Sequence, residues 1–389
     1  MTRIAPTLEI PFHRACLGEE EAAAAAEVVR SGWLTMGPRT VSFEEKFARY
    51  VGAEHAIAVS SCTAALHLAL EACGVRPGDE VLLPTLTFTA TAEVVTYLHA
   101  RPVLVDSDPR HMNLCLKDAE RKLSPRTKAI IPVHFAGHPC DMAAMQAFAR
   151  GHGLKVVEDA AHALPAKYHG RMIGGLSDAT AFSFYATKTL STGEGGMITT
   201  NDAALAARMR LMRLHGMSRD AWKRYSGGPW RYDVLEAGYK YNLTDMQSAI
   251  GLVQLKKCDA LRDRREKIAH LYTAGLKSIR GFRGLQVSTD VQHAWHLYCI
   301  QIEEGFLRIG RDDVIRRLDE RGIGTSVHFI PLHEHTYYRS RWNYAPGDFP
   351  VAGGFGARCL SIPLYPGMRD EEAHCVLNAL SDIAREYRR

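Results

Sequence analysis

AFSFYATKTLSTGEGGMITT, residues 181–200, is the stretch on which the reading of this chain turns. An apolar, aromatic run leads into a turn of small residues that carries Lys188. A Gly-rich corner follows at Gly193, Gly195 and Gly196, and a second apolar run leaves it. A lysine between two buried strands is costly to desolvate unless something uses or neutralises it. One use is an imine with an aldehyde cofactor, because a desolvated or cation-flanked lysine has a lowered pKa and becomes a nucleophile. Ser183, five residues upstream, has a hydroxyl suited to a phosphate oxygen. The plain alternative is a β-hairpin whose lysine snorkels to the surface. The stretch by itself leaves both open.

Working outward, HAIAVSS (55–61) is a short apolar strand that runs into a buried helix beginning Cys62-Thr63-Ala64. A strand ending in Ser-Ser-Cys-Thr at a helix start offers first-turn N–H groups and a hydroxyl to an anion, although ordinary capping explains the same residues. EVLLP, RPVLVDSD, TKAIIPVHFAG and LKVVEDAAHALPA read as further strands, and TLTFTATAEVVTYLHA and CDMAAMQAFARGHG as helices. This alternation implies an α/β architecture with a mostly parallel sheet, in which ligands sit beyond the carboxyl ends of strands. Thr63, Phe88, Asp159 and Ser183 all fall at or just after strand ends. Taken singly, Phe88 reads as core, Asp159 as a helix cap and Ser183 as a strand hydroxyl. Together, beside Lys188, they read as a site.

Residues 1–17 read as an extended arm, followed by one helix from Gly18 and a second ending at Gly52. Beyond 200 come a helix, a long polar and aromatic loop (217–237, with Trp222 and Trp230), and a long helix capped by Thr244. From about residue 290 the pattern shifts to strand (HAWHLYCIQIEE), helix (RDDVIRRLDERG), strand (GTSVHFIPLH), CLSIPLYPGM and a final helix. The expected division is a large α/β domain over 1–250 and a smaller α+β domain over 251–389.

Composition narrows the function classes. The net charge of +5 suits an anionic small substrate but is too weak for a nucleic-acid surface. The densest basic run, RDRREK at 262–267, is interleaved with acids and reads as a solvated helix face. Nine cysteines at irregular spacing, with no CxxC pair, indicate a reduced, cytoplasmic protein rather than a disulfide framework. No window has the length and apolarity of a membrane span, and MTRIAPTLEIPFHRA lacks the apolar core of a signal peptide. His328, His333 and His335 lack a supporting carboxylate or Cys pattern, so no metal is expected.

SGWLTMGP (31–38), SSCTAALHLAL (60–70), PTLTFTATA (84–92), VVEDAAHA (156–163), FSFYATKTLSTGEGGMI (182–198), GYKYNLTDMQSAIGL (238–252), HAWHLY (293–298), VHFIPLHEHTYY (327–338) and SIPLYPGM (361–368) stand in that order. With this ordered set, running nearly end to end, the chain resembles the sugar aminotransferases of the DegT/DnrJ/EryC1/StrS family. These are fold-type-I enzymes dependent on pyridoxal 5'-phosphate. The resemblance implies an internal aldimine at Lys188, which would later move the proton between substrate and cofactor, and an Asp159 that pairs with the pyridine nitrogen and keeps it protonated. It further implies that Phe88 stacks on the ring, that His162 lies against the ring or its O3′ side, and that Thr63, Ala64 and Ser183 hold the phosphate. A residue of the neighbouring subunit's GYKYN loop would complete the phosphate site, Asn242 first and Lys240 second. The substrates implied are glutamate and a keto carbon, C-4, of a nucleotide-linked keto sugar in cell-surface polysaccharide or lipopolysaccharide synthesis. The unit implied is a homodimer with shared active sites.

Three departures stand out. Cys62 replaces a common Gly or Ala, GYKYN replaces a commoner G-x-N-x-R, and Tyr185 stands where the branch acting on UDP-4-keto-pentose, which other stretches resemble, has histidine. Tyr185, His328 and Arg213 are candidate substrate residues, with Lys240 and Arg231 as further partners for a diphosphate. Two neighbouring functions use the same scaffold. C-3 dehydratases carry histidine in place of the lysine, which Lys188 argues against. A non-catalytic regulator would have no use for the Asp159 partner. Amination of a 3-keto sugar is the nearest alternative reaction.

Overall fold

The structure, a computed structural model, describes residues 9–218, 232–345 and 347–389. Arg231, Trp222 and Trp230, and with them most of the long loop, lie outside the described residues, as do residues 1–8 of the arm. The central sheet has seven strands: β1 (His55–Val59), β9 (Gly196–Thr200), β8 (Ala179–Ser183), β5 (Lys155–Asp159), β4 (Thr127–Ile130), β2 (Glu80–Pro84) and β3 (Arg101–Val105), in that spatial order. Only β9 runs against its neighbours; the pairs among β8, β5, β4, β2 and β3 are parallel. The expected α/β fold with a mostly parallel sheet is therefore the one observed.

Strand periodicity explains the two cores. Along β1, Ile57 and Val59 join one buried cluster, while Ala56 and Ala58 join the other. The first cluster receives the helix Cys62–Ala72, whose Leu66, Leu68 and Leu70 are all buried. Each buried leucine contributes roughly 1.5–3 kcal/mol. The second receives the helix Pro38–Val51, whose Phe43 and Phe47 pack edge-on against Phe182 and Phe184 around β8.

A helix from Asp245 to Leu276 is started by a capping box between Thr244 and Gln247. The division expected near residue 250 falls within it. The carboxylate of Asp245 collects Gly37 N–H (2.7 Å), Arg39 N–H (3.1 Å), Thr40 N–H (2.9 Å) and Thr40 Oγ1 (2.8 Å). One helix start thus caps another. Arg262 and Arg265 on this helix are 9% and 1% exposed, which corrects the solvated-face reading of RDRREK. Hydrophobic periodicity places charged residues outside by default, and here two of them point inward.

The C-terminal part carries a three-stranded sheet, β10 (Phe282–Gly284), β12 (Tyr298–Ile302) and β13 (Cys359–Ile362). A third small sheet joins β11 (Val291–Gln292) to β6 (Lys167–Tyr168) and β7 (Arg171–Met172). Asp106, just after β3, accepts Val351 N–H and Ala352 N–H and so fastens the C-terminal part to the main sheet. Of two expected strands, HAWHLYCIQIEE is shorter than read and GTSVHFIPLH does not form. HAWH is a loop before β12, with Trp295 at φ 53°, and 327–335 is irregular up to a short 3₁₀ turn at Leu332–Glu334.

Asp245→Ala would leave four donors without their acceptor. We expect a loss of about 3 kcal/mol in urea unfolding, with Asp245→Asn intermediate. Unchanged unfolding would show that the capping is redundant.

Candidate active site

A cavity of about 730 Å³ opens at the carboxyl edge of the main sheet. Lys188, Asp159, Ser183, Thr63, Phe88, His162, Tyr185 and His328 all line it. The sheet accounts for that convergence. Asp159 ends β5, Ser183 ends the parallel neighbour β8, and Asp159 is in register with Ala181. Lys188 follows in a turn closed by Lys188 N–H to Tyr185 O at 2.9 Å. Gly196 returns the chain close to the start of the Cys62–Ala72 helix; a Cβ there would lie 2.6 Å from the Ser61 carbonyl. The Gly-rich corner is thus a close backbone approach at Gly196.

Asp159 is 6% exposed. Its carboxylate accepts Thr91 Oγ1–H at 2.8 Å and Ala161 N–H at 3.1 Å, and no cation lies in ion-pair reach among the described residues. Burial raises its pKa above 3.8, against the pull of those two donors and of Lys188. Lys188 keeps part of its surface open to the cavity, yet desolvation of its ammonium lowers its pKa to about 8; the nearby Cys62 and Asp159 oppose that shift and Arg265 adds to it. Four histidines surround this pair. His162, His296 and His328 are held below the ordinary imidazole range by burial first and by Lys188, and His13 to about 4 by burial and Arg265.

Four candidates fall elsewhere. Arg213 is buried in the core, where it pairs with Glu44 and donates to Ala58 O at 3.0 Å, so it is not part of the cavity wall. That corrects its reading as a substrate residue: its charge is already used to join the helix Pro38–Val51 to β1. Lys240 and Asn242 bond each other (Nζ to Oδ1, 2.6 Å) and do not line the cavity of their own chain. Ala64 stands behind the wall, its N–H donating to Ser61 Oγ at 3.1 Å, which leaves Thr63 as the exposed face of that helix start. His328 does line the cavity, but burial brings it to about 4, so it is neutral and no cationic partner for a diphosphate. Its Nδ1 is bonded to Ser361 Oγ at 2.9 Å, and its ring stacks on Phe12.

Sequence reasoning missed Thr91, His296 and the arm residues Phe12 and His13, all of which line the cavity. Thr91 lies inside PTLTFTATA, where the expected helix hid it; the helix begins only at Ala90. His296 was concealed by reading HAWHLY as strand. Phe12 and His13 sat in an arm with no pattern to read. The bridge between Ile10 and Ile323, and His13 Nε2 to Ala186 O at 3.2 Å, are long-range contacts.

The residues present fit pyridoxal phosphate. A buried carboxylate with only neutral donors suits a ring N–H that carries positive charge. Phe88 is 60% exposed although it faces the cavity, as an aromatic platform for a flat ring would be. Ser183 and the helix start at Thr63 suit a phosphate.

Lys188 and the buried Asp159 line one cavity at the parallel-sheet edge, which agrees with the expected fold-type-I pyridoxal-phosphate site. The family model of the DegT/DnrJ/EryC1/StrS aminotransferase family matches residues 15–381, and the chain belongs to that family. It is 49% identical over 378 residues to the spore coat polysaccharide biosynthesis protein SpsC of Bacillus subtilis (strain 168), covering 97% of each chain. Spr1654 of Streptococcus pneumoniae, solved in its PLP form, superposes with a TM-score of 0.91 at 30% identity, covering 97% of this chain and 99% of that one. PseC of Helicobacter pylori, an aminotransferase involved in the biosynthesis of pseudoaminic acid, gives 0.90 at 29% identity, over 97% and 100%. The protein is a pyridoxal-phosphate-dependent sugar aminotransferase. No helix among the described residues is long and apolar enough to cross a membrane, and no group of three or more metal-ligating side chains occurs among them.

Because its folded pKa is raised, Asp159 loses stability for the cofactor-free protein as pH climbs through that pKa. At neutral pH, Asp159→Asn should therefore stabilise the cofactor-free protein by roughly 0.5–2 kcal/mol. The same change should lower turnover of the loaded enzyme about 10²-fold or more. Thermal melts and kinetics of one preparation check both signs.

Proposed function

We propose that this enzyme moves an amino group from glutamate to C-4 of a nucleotide-linked keto-deoxy sugar, for cell-surface polysaccharide synthesis. The observation that carries the reading is the opposition of Lys188 and Asp159 in one cavity, beside a wall of Phe12, Phe88 and Phe329. Aromatic walls suit the apolar face of a sugar ring. The volume, about 730 Å³, suits a cofactor and a sugar together. The names of SpsC and PseC point to the same class of product.

When bound, pyridoxal phosphate supplies an electron sink and a carrier for the amino group. The chain's own residues do the rest. Lys188 Nζ takes the proton from the amino-bearing carbon of glutamate, which leaves as 2-oxoglutarate. In the second half-reaction Lys188 Nζ delivers a proton to the sugar carbon that receives nitrogen. Asp159 would hold the positive charge of the ring nitrogen, Phe88 would cover one ring face, and His162 would lie against the ring. Thr63 and Ser183 hold the phosphate. Tyr185, 48% exposed at the mouth, faces the incoming sugar.

Lys240 and Asn242 acquire a role if a second copy lays its 238–242 loop at the phosphate end, so the working unit is a homodimer with shared sites. The cofactor domain then spans 1–250 and the smaller domain 251–389. All nine cysteines are free, which suits the cytoplasm.

Mass spectrometry of incubations with glutamate and panels of 4-keto and 3-keto nucleotide sugars tests the reading. Glutamate-dependent amination of a 4-keto sugar supports it. Amination of 3-keto sugars alone moves the position, and no amination in any incubation removes the glutamate and nucleotide-sugar reading. Lys188→Ala should lower turnover at least ~10³-fold. Mixing Lys188→Ala with a Lys240→Ala/Asn242→Ala double variant should restore about a quarter of wild-type activity, since half the reassorted dimers hold one intact site. No recovery after verified subunit exchange would count against shared sites.

A further inference from the structure

His296 enters the cavity from the loop before β12, and its Nε2 lies 3.3 Å from Lys188 Nζ. Its Nδ1 is buried and has no hydrogen-bond partner among the described residues. These two facts choose the tautomer. A buried N–H without an acceptor is the rarer and costlier orphan, and a bare ring nitrogen is the lesser one. The ring proton therefore sits on Nε2 and faces the lysine. An Nε2–H meets Nζ favourably only when that nitrogen offers a lone pair, which an amine has and an ammonium lacks. An ammonium would require the proton on Nδ1, where it would be a buried donor with nothing to bond.

The surrounding loop holds the ring in this position. Arg265, 1% exposed and without a carboxylate in ion-pair reach among the described residues, donates from one nitrogen to Leu364 O (2.8 Å), His296 O (3.2 Å) and Trp295 O (3.4 Å). Leu297 N–H bonds Ala136 O, and Trp295 N–H bonds His293 Nδ1 at 2.7 Å. The ring of His162 packs against His296 with centroids 4.4 Å apart.

We infer that His296 is a positioning residue that favours the amine form of Lys188 Nζ over the ammonium by donating its Nε2 proton to that nitrogen. The inference rests on the reading of Lys188 as the cofactor lysine and adds to it how the lysine is kept ready as a base. The other groups that face Lys188 are Asp159, Cys62, Arg265, His13, His162 and His328. Asp159 favours the ammonium and Arg265 opposes it. Burial keeps the three other histidines neutral and the Cys62 thiol protonated. His296 is the group that bonds Nζ directly.

The test is trace acylation of Lys188 in cofactor-free protein across pH, followed by peptide mass spectrometry. The wild-type midpoint is expected near 8. In His296→Phe it should rise by about one unit, a roughly tenfold loss of labelling at pH 7. His296→Gln retains an N–H donor of similar reach and should stay within about threefold of wild type. A purely structural role would not separate the two. Each protein is also loaded with pyridoxal phosphate and its visible band recorded. Failure of wild-type Lys188 to bond the cofactor would break the underlying reading. An unmoved midpoint in His296→Phe, with cofactor uptake intact, overturns only the present inference. Should that variant not fold, nitrogen-edited NMR of the wild-type histidines decides: a proton on His296 Nε2 supports the inference, and one on Nδ1 overturns it.

Discussion

The carboxylate of Asp159 is buried with two neutral donors and, among the described residues, no cation in ion-pair reach, and the rest of the site is arranged around that constraint. An isolated anion in such a place is expensive unless a positive partner joins it. In the proposed reading the cofactor is that partner, and Lys188 lines the same cavity. Topology makes the arrangement possible. β5 and β8 are parallel, so Asp159 and Ser183 end at one edge. β9 runs against both β8 and β1, so β1 points the same way as β8 and delivers the Cys62–Ala72 helix start to that edge too. Reversing any one of these pairings would move a ligand of the cofactor to the far side of the sheet.

The same constraint explains the neutrality of the surroundings. Four histidines and a cysteine crowd Lys188, and a set of charged groups there would compete with the cofactor for Asp159. Burial lowers the pKa values of the histidines and raises that of the thiol, so all five stay uncharged at neutral pH. Among the described residues a further buried cation nearby, Arg265, is solvated by backbone carbonyls instead of a carboxylate. It therefore contributes positive potential to the lysine without bringing a second anion to rival Asp159.

Much of this was legible in the sequence, for a physical reason. Residues at strand ends are local in sequence: Thr63, Phe88, Asp159, Ser183 and Lys188 each stand at or within five residues of the end of a strand, and the parallel-sheet rule gathers such ends at one edge. The fold class followed from the alternation of strands and helices. What was hidden reaches the cavity from irregular backbone. His296 stands after a residue at positive φ, Phe12 and His13 on an arm held by distant contacts, and Thr91 in the first turn of a helix whose start was misjudged. Neither period of 2 nor period of 3.6 marks such positions.

The cations show the same limit more sharply. Arg213 and Arg265 look alike in sequence, each beside other basic residues on a helix, and a phosphate-binding role and a solvated face were the readings they drew. Both are buried, and their partners decide what each does. Arg213 meets Glu44, whose carboxylate also accepts Ala58 N–H at 2.8 Å, so its charge is cancelled and its effect is confined to the join between a helix and β1. Arg265 meets only carbonyl dipoles, so its charge persists and acts on Lys188 and His296. A carboxylate brought within reach of Arg265 would neutralise it as Glu44 neutralises Arg213, and the lysine would lose a field that helps keep it neutral. The function of a buried arginine here is therefore set by the absence of a counter-ion, and that is a property of the packed tertiary structure which no local pattern encodes.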